Sequence, residues 1–298
     1  LLQESIGYTS TPKRNYYTNK PEKQWKITFQ KRSLPTRILS FINDYSTNML
    51  KPQLSIITVV YNNFHHIERT MRSVFSQTYP NIEYIVIDGG SNDGTVDIIK
   101  KYQNQITKFI SEKDAGIYDA MNKGLALASG DYVLFMNSGD EIYAPHTVEQ
   151  IFAIQTDADI YYGETAIYST NWQHLGQRRH KAPSKFTWKS FKYGMNICHQ
   201  AIYIKRSLTQ PYDLQYSLSA DIDWVIRAAK QAKQIVNTNQ LVAKYMSGGM
   251  SQKKHLQSLR ERFQIFSKHY GLIPTIINHG IIALRLIFYW IRHMGQNK

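Results

Sequence analysis

The chain alternates short apolar runs with segments in which apolar residues recur at helical spacing. Short apolar runs bounded by turn residues are typical of buried strands, and apolar positions three or four residues apart are typical of amphipathic helices. The predicted strands are residues 54–60, 82–87, 106–110, 132–136 and 159–162, and the predicted helices between them begin near residues 67, 95, 116 and 145. Strands that alternate with helices of this length indicate crossover connections and a mostly parallel central sheet flanked by helices.

The pattern is weaker between residues 164 and 250. A short apolar run predicts a further strand at residues 201–205. Asp221 and Asp223 open a predicted helix that continues through Ala229. This part of the chain is therefore expected to be more irregular than the part before it.

The end of the chain predicts two helices. Residues 253–269 have a helical pattern, which Gly271 and Pro274 interrupt. Residues 276–291 are almost wholly apolar. A helix that spans a membrane needs about 20 apolar residues, so this second segment is too short to cross one.

The polar residues of the apolar segment share one side of the predicted helix. Asn278, Arg285 and Arg292 are spaced seven residues apart and therefore lie on one stripe. An apolar helix with one polar stripe suits a membrane interface, where it lies in the plane of the bilayer. A helix docked on the protein's own core would show a similar pattern, and the sequence leaves both interpretations open.

Composition restricts the partners more than it restricts the fold. The formal net charge of +14 over 298 residues favours an anionic partner such as a nucleotide, a nucleic acid or an acidic membrane surface. Hydrophobic residues make up 42% of the chain, which is enough for a sizeable core. The single cysteine, Cys198, provides neither a disulfide framework nor a cysteine-based zinc site, and it fits a reducing compartment.

Residues 1–50 differ from the rest of the chain. They contain eight Lys and Arg residues against three acidic ones, and their apolar periodicity is poor. We interpret them as a basic N-terminal extension, either an arm for a membrane or nucleic acid or a partly ordered tail. Residues 1–8 have no signal-peptide pattern, and residues 49–51 resemble a natural start. The expected organisation is this extension, a catalytic domain at residues 51–250 and C-terminal helices at 251–298.

Acidic residues occur where predicted strands end. Asp88 and Asp140 follow apolar runs, and Asp221 begins a helix in the second half. Ligands of open α/β sheets bind outside the carboxyl ends of the strands, and a divalent ion that holds a diphosphate needs only one or two protein carboxylates. Asp140 is therefore predicted to bind a metal ion and Asp88 to contact a base or ribose. Each aspartate could instead close a turn or cap a helix.

Common fingerprints of other enzyme classes do not occur. The glycines of residues 89–94 have the wrong spacing for the G-x-G-x-x-G motif of dinucleotide-binding enzymes. The sequence contains no P-loop motif and no H-E-x-x-H, and the adjacent His65 and His66 suit a helix start better than a ligand pair. Nicotinamide-dependent enzymes, P-loop ATPases and zinc proteases are thus disfavoured.

Five motifs, in order along the chain, resemble family 2 glycosyltransferases of the GT-A fold. They are SIITVVYN at 55–62, SVFSQTY at 73–79, IDGGSNDGT at 87–95, DAGIYDAMNKG at 114–124 and GDYVLFMNSGD at 130–140. The resemblance covers residues 51–250 and is greatest to bacterial enzymes of colanic-acid, capsule and O-antigen assembly. It implies an α/β nucleotide-diphospho-sugar transferase fold, and an inverting transfer from a nucleotide sugar, expected to be a UDP-sugar, assisted by Mn²⁺ or Mg²⁺.

The resemblance also implies roles for individual residues. Asp140 would bind the metal, and Asp221 would be the catalytic base, with Asp223 as a rival for that role. The residues expected to bind the donor nucleotide and its sugar are Val59, Tyr61, Asp88, Gly90, Asp114, Lys123, Asn137, Ser138 and His199.

Three departures from the family's pattern support a competing interpretation. Gly89 replaces the second aspartate of the usual Asp-Asp-Gly-Ser turn, and the metal motif keeps only its last acid. Ala220 replaces the glutamate of a Glu-Asp pair, which leaves both Asp221 and Asp223 as candidate bases. The alternative to an enzyme is therefore a degenerate, non-catalytic module that binds a sugar or a nucleotide.

The resemblance implies a hexosyltransferase that acts on a saccharide or lipid-linked acceptor in cell-surface polysaccharide biosynthesis. The expected location is cytoplasmic and peripheral at the inner face of the cytoplasmic membrane, with an anionic membrane surface as a partner. A sugar-nucleotide pyrophosphorylase would need a glycine-rich basic loop after the first strand, which residues 61–64 do not provide. No nucleic-acid partner is predicted, because charge without a recognisable binding module is weak support.

Overall fold

The computed structural model describes residues 9–10, 25–26, 51–154, 157–178, 181–194, 197–249 and 254–293, without the side chains of residues 9–10, 25–26, 193 and 285–293. The chain divides into two compact units, Leu1–Leu50 and Lys51–Lys298. In the first unit, residues 9–10 pair antiparallel with residues 25–26. The sequence predicts that residues 1–50 form either a basic arm or a partly ordered tail. Apart from these four paired residues, that prediction concerns residues outside the described ones.

The described part of the unit Lys51–Lys298 contains nine strands and seven α-helices. The strands are β1 (Leu54–Val60), β2 (Ile82–Asp88), β3 (Lys108–Ser111), β4 (Tyr132–Phe135), β5 (Glu141–Ile142), β6 (Ile160–Tyr168), β7 (His174–Gln177), β8 (Ile202–Lys205) and β9 (Ile235–Met246). The helices are α1 (Ile67–Phe75), α2 (Thr95–Lys101), α3 (Ile117–Leu127), α4 (Thr147–Ile154), α5 (Ala220–Gln231), α6 (His255–Tyr270) and α7 (Leu272–His293).

All nine strands belong to one sheet with the order β3-β2-β1-β4-β8-β6-β9-β5, and β7 pairs with β6. The strands β3, β2, β1 and β4 are parallel to one another. Strand β8 is antiparallel to both β4 and β6, while β9 runs parallel to β6. The predicted α/β class and central sheet are confirmed. Each antiparallel pair includes one strand, β7, β8 or β9, from the part of the chain that has the weaker pattern.

The alternation of strand and helix segments along the sequence arises because helices cover both faces of the parallel strands. Every position of β1 is buried, as expected for a strand between two layers. Successive side chains of a strand point to opposite faces. Accordingly, Ile57 packs in the cluster that contains Tyr118 of α3 and Trp224 of α5. Its neighbour Ile56 packs in the cluster that contains Met71 of α1.

Strand β9 was not predicted, although it has twelve residues. Its pairing with β6 is interrupted by register shifts between Asn237 and Ala243. Asn239, within this interval, has a positive φ of 53°. Such an irregularity breaks the alternation of apolar and polar positions on which strand prediction depends.

The two C-terminal helices meet at Gly271. This glycine ends α6 with a φ of 89°, as predicted for a helix break. Pro274 does not break the chain again, because it lies in the first turn of α7, where a missing N–H is tolerated. Among the described residues, no helix combines the length and the apolarity needed to cross a bilayer.

Candidate active site

The loops that follow β1, β2 and β4 lie side by side at the carboxyl edge of the parallel strands. The Gly89 amide donates to the carbonyl of Val60 at 2.9 Å, which joins the ends of β1 and β2. The Ser138 amide donates to the carbonyl of Val59 at 3.1 Å, which joins β1 to the loop after β4. These backbone contacts bring the predicted donor-binding residues of three loops to one edge.

Asp88 is fully buried at the end of β2. Its Oδ2 accepts hydrogen bonds from the Gly90 and Ser91 amides, at 3.1 and 3.0 Å, and from the Ser111 hydroxyl at 2.7 Å. Its Oδ1 is buried and has no hydrogen-bond partner. A buried acceptor without a donor is unfavourable, and Oδ1 has the capacity to accept one further hydrogen bond.

The loop after β1 is fixed on both sides and presents Tyr61. Asn62, at a φ of 46°, donates its amide to the Ser91 hydroxyl at 2.8 Å. The Asn63 side chain donates to the Ser138 hydroxyl at 2.9 Å. Tyr61 remains 63% exposed. A rigid loop with an exposed aromatic ring suits stacking against a nucleobase.

The carboxylate of Asp114 occupies the space beside Gly89. Asp114 is held there by the Gly116 amide, which donates to its Oδ1 at 2.9 Å. A Cβ added to Gly89 would lie 2.2 Å from Asp114 Oδ2. Gly89 therefore leaves space for the Asp114 carboxylate, and a side chain at position 89 would require that carboxylate to move. This departure from the family's pattern does not by itself indicate a degenerate site.

We expect Gly89→Ala to lower the free energy of unfolding by roughly 1–3 kcal/mol, the usual cost of overpacking. The same substitution in an Asp114→Ala background should cost much less, because the opposing carboxylate is absent. Urea unfolding of the four proteins measures the difference. Gly280→Ala is the control, since nothing lies within 4 Å of a Cβ at that helical position. Equal costs in both backgrounds would contradict the proposed contact.

Lys123 lies near Asp114 but is already paired. Its Nζ is 2.8 Å from a Glu112 carboxylate oxygen and donates to the Lys113 carbonyl at 3.1 Å. The hydrogen bond to Glu112 raises the pKa of Lys123, and the nearby charges of Glu112 and Asp114 add to this effect. Lys123 is thus a charged side chain on the donor side, and it would have to leave Glu112 to contact a phosphate.

A hydrogen-bonded chain runs from Asn137 to Tyr118 through His199 and Asp221. The Asn137 amide lies 3.2 Å from His199 Nε2, and His199 Nδ1 lies 3.3 Å from Asp221 Oδ2. The Tyr118 hydroxyl donates to Asp221 Oδ1 at 3.1 Å. The tautomer with the proton on Nδ1 satisfies both contacts of the imidazole. Asn137 Oδ1 is buried without a partner, which leaves one further acceptor for a ligand.

The environment of Asp221 favours an ionised carboxylate. Burial raises the pKa of this group, but the hydrogen bonds from His199 and Tyr118 outweigh it and leave the pKa below its usual value. The side chain is 14% exposed. An ionised, accessible carboxylate held by two neighbours is suited to accept a proton from a bound hydroxyl group.

Asp223 lies in a different environment, although it is only two residues away on α5. It is fully buried and contacts Arg227 Nε at 2.7 Å, His269 Nε2 at 2.8 Å and Lys268 Nζ at 3.2 Å. Burial raises the pKa of Asp223, but these three partners lower it to about 2. Its oxygens join α5 to α6 and are not accessible to an acceptor, which favours a structural role over that of a rival base.

Asp140 is buried and both of its oxygens are engaged. Oδ1 accepts the Met246 amide at 2.9 Å, and Oδ2 accepts the Gln200 side chain. Burial raises the pKa of Asp140 to about 6. Within the described part of the chain, no group of three or more His, Cys, Asp or Glu residues could hold a metal ion. This donor set does not fit a preformed metal centre.

The pair His199–Gln200 connects the two predicted acids. His199 contacts Asp221, and the next residue, Gln200, donates to Asp140. Both belong to the 3₁₀ turn His199–Ala201. Asp140 and Asp221 are therefore part of one neighbourhood and do not lie on opposite sides of the molecule.

Three residues of this neighbourhood were not among the predicted site residues. They are Ser111, Tyr118 and Gln200, which contact Asp88, Asp221 and Asp140. Tyr118 lies inside the 114–124 motif and Gln200 lies beside His199. Neither residue type is one that a sequence would single out as an acid or a base. Ser111 has no sequence signal beyond its place at the end of β3.

Comparison with known sequences identifies similar proteins. The family model described as "Glycosyl transferase family 2" matches residues 55–210. A PGL/p-HBAD biosynthesis glycosyltransferase of Mycobacterium tuberculosis is 32% identical over 188 residues, which are 60% of this chain and 70% of that protein.

Comparison with solved structures identifies a common fold. S. aureus TarS 1–349 in complex with UDP-GlcNAc matches with a TM-score of 0.54 at 19% identity, over 72% of this chain and 66% of that one. The chain spans 42% of the longer S. aureus TarS chain. The mannosyltransferase PcManGT of Pyrobaculum calidifontis, in complex with GDP-Man and Mn²⁺, matches with a TM-score of 0.56 at 18% identity, over 79% and 70% of the two chains. These similarities confirm the predicted GT-A fold.

Proposed function

The chain belongs to glycosyltransferase family 2, and from this premise we propose that it transfers a sugar, with inversion, from a nucleotide-diphosphate donor to an acceptor hydroxyl group. The observation that carries the proposal is the ionised Asp221, held by His199 and Tyr118 in the neighbourhood of the loop after β4. A non-catalytic binding module would have no need of a carboxylate prepared in this way.

The donor nucleotide is proposed to bind at the ends of β1 and β2. The unpaired Asp88 Oδ1 would accept a hydrogen bond from the base or the ribose. Tyr61 would stack on the base, and Val59 would line the pocket beneath it. A UDP-sugar is the proposed donor. Gly90, whose amide fixes Asp88, would allow the backbone to approach the nucleotide.

The donor sugar and diphosphate are proposed to lie between the loop after β4 and the Asp114 loop. Asn137 and Ser138 would contact the sugar or its phosphates from one side, and Asp114 from the other. Lys123 would stabilise the charge that develops on the departing diphosphate. His199 would contact the donor with the edge of its ring, because its Nε2 faces the Asn137 amide and its Nδ1 faces Asp221.

The chemical step needs one proton acceptor. As the acceptor oxygen attacks the anomeric carbon, its proton moves to the carboxylate of Asp221. The bond from that carbon to the diphosphate oxygen breaks, and its electron pair stays with the departing nucleotide. Attack opposite the leaving group inverts the anomeric centre. Tyr118 and His199 act as positioning residues, because each fixes one oxygen of Asp221.

Mn²⁺ or Mg²⁺ is proposed as a cofactor, with Asp140 as its ligand. PcManGT holds Mn²⁺ in its solved complex. In this chain both oxygens of Asp140 are occupied by Met246 and Gln200. Because the described residues do not fit a preformed centre, no part of the mechanism proposed above depends on a metal ion.

The acceptor is proposed to be a saccharide or a lipid-linked saccharide of a cell-surface polysaccharide such as a capsule or an O-antigen. The resemblance of the five motifs supports this class, as does the M. tuberculosis relative, which is named for PGL/p-HBAD biosynthesis. The reaction is proposed to take place in the cytoplasm, at the inner face of the cytoplasmic membrane.

A screen of nucleotide sugars by thermal shift tests the donor site. A UDP-sugar at a hundredfold excess over its Kd should stabilise the protein by about 2.7 kcal/mol, which is several degrees in Tm. Tyr61→Ala should weaken this binding by about 5- to 150-fold, because a stacked base contributes roughly 1–3 kcal/mol. Leu175→Ala, another exposed position, is the control.

The same samples distinguish the two interpretations of the function, an enzyme and a non-catalytic binding module. Binding accompanied by donor hydrolysis or transfer supports the enzyme. Binding with neither reaction, under conditions that include Mn²⁺, would support the degenerate module instead. If no nucleotide sugar changes the Tm of the folded protein, the proposed donor site is wrong.

A further inference from the structure

In the part of α7 whose side chains the structure describes, residues 272–284, two polar residues face the protein and five large apolar residues face solvent. Thr275 and Asn278 are buried. The apolar stripe of α7 consists of five side chains that are 54–72% exposed: Leu272, Ile273, Ile276, Ile277 and Leu284. A water-exposed helix of a globular protein normally has the reverse arrangement.

The positions of the stripe fall on one side of the helix. At about 100° per residue, its five members occupy less than half of the circumference, and the buried pair lies opposite them. Asn278 therefore belongs to the protein-facing side and not to a solvent-facing polar stripe. The side chains of Arg285 and Arg292, which were predicted to share its stripe, lie outside the described residues.

The orientation of α7 is fixed by its contacts with α6. The ring of His279 lies 5.2 Å from that of Phe263 and 6.0 Å from that of Phe266. Rolling the helix to cover its apolar stripe would break these contacts. The exposure of the stripe is thus a property of the packed structure.

The C-terminal segment that carries the stripe is basic in sequence. Within residues 254–293 the only acidic residue is Glu261. It is buried and accepts hydrogen bonds from the Ser217 and Leu218 amides. From residue 253 to the end of the sequence, the cationic side chains are Lys253, Lys254, Arg260, Arg262, Lys268, Arg285, Arg292 and Lys298. Lys268 is paired with Asp213 and Asp223. No exposed carboxylate on the described parts of α6 and α7 offsets the other cationic side chains.

We propose that the apolar stripe of α7 docks on an anionic lipid bilayer, with the helix lying parallel to the membrane surface. The stripe would enter the boundary between headgroups and acyl chains, while basic side chains of the same C-terminal segment contact anionic headgroups. A second copy of the chain would bring like charges together, which opposes self-association through this face. The inference does not depend on the proposed sugar transfer.

Vesicle flotation of the full-length protein tests the proposal. The protein should float with vesicles of phosphatidylcholine and phosphatidylglycerol, and much less with phosphatidylcholine alone. Ile273→Glu combined with Ile276→Glu should lower the bound fraction by about tenfold or more, because it removes apolar burial and adds negative charge. The matched control is Leu175→Glu combined with Leu214→Glu, which changes the net charge equally at two other exposed positions.

The outcomes are distinct. Loss of flotation in the stripe variant alone, with an unchanged unfolding midpoint, supports the proposal. Equal flotation of the stripe variant and the wild type overturns it, as does a folded wild-type protein that does not float. Sedimentation velocity adds a further check: if the stripe variant dissociates a dimer and wild type shows no vesicle binding, a second copy covers the stripe and the lipid proposal is wrong. Donor binding by thermal shift is expected to be the same in all variants.

Discussion

Asp221→Asn is expected to lower the rate of sugar transfer by about 10²–10⁴-fold, the usual contribution of a general base. The substitution keeps the shape of the side chain but removes the group that accepts the proton. Donor affinity should change little, because Asp221 would reach the proposed donor only through His199. Transfer rates at saturating donor, together with a thermal-shift measurement of donor binding, separate the two quantities. Asp157→Asn is the control, since that side chain is 84% exposed.

The dependence of the rate on pH gives a second measurement of the same role. The base works when deprotonated, and hydrogen bonds from His199 and Tyr118 lower the pKa of Asp221. Tyr118→Phe removes one of these donors, so the pKa of Asp221 should rise and the acidic limb of the kcat/KM profile should move to higher pH. A near wild-type rate for folded Asp221→Asn, or an acidic limb that Tyr118→Phe leaves in place, would exclude Asp221 as the base.

Asp223→Ala is expected to lower the free energy of unfolding by roughly 3–5 kcal/mol, the cost of removing one partner from a buried ion pair. The substitution leaves Arg227, Lys268 and His269 facing a buried position without a counter-charge. Urea unfolding measures this loss, provided that the slope of the unfolding free energy against urea concentration is unchanged. The matched control is Asp213→Ala, which removes another contact of Lys268, at 3.2 Å, from a more exposed site and should cost about 1 kcal/mol or less.

The contribution of Asp223 to the free energy of unfolding also depends on pH, and it decreases as the pH falls. Its pKa is about 2 in the folded protein against an ordinary value of 3.8, so folding favours the ionised form. This stabilisation, about 2 kcal/mol, is complete above the unfolded pKa and is lost as the pH falls towards 2. The difference in unfolding free energy between wild type and Asp223→Asn should therefore shrink between pH 5 and pH 2. A difference that stays constant over this interval would contradict the ion-pair network.

The parallel half of the fold is predictable from sequence because its strands are buried on both faces. Strand β1 occupies the predicted residues 54–60, and β2 and β4 deviate from prediction by one residue at the end. Strand β9 was missed because its positions are mostly half-buried and its register shifts, so its polar and apolar residues do not alternate.

The candidate site was predictable in its location but not in the roles of its acids. Asp221 and Asp223 are two residues apart on a helix, so they point in directions about 200° apart. Sequence spacing does not indicate which of them faces the site. The choice depends on distant residues, since Tyr118 contacts Asp221 and His269 contacts Asp223. In the same way, the engagement of Asp140 by Met246 results from the unpredicted strand β9.

The contact between Gly89 and Asp114 restricts how this site can evolve. An aspartate at position 89 and an aspartate at position 114 in its present conformation exclude each other, because their atoms would overlap. A lineage that regains the first acid must therefore already have shortened or relocated the second, and the reverse order would pass through a destabilised intermediate. Among homologous enzymes, the two positions are expected to covary as a pair.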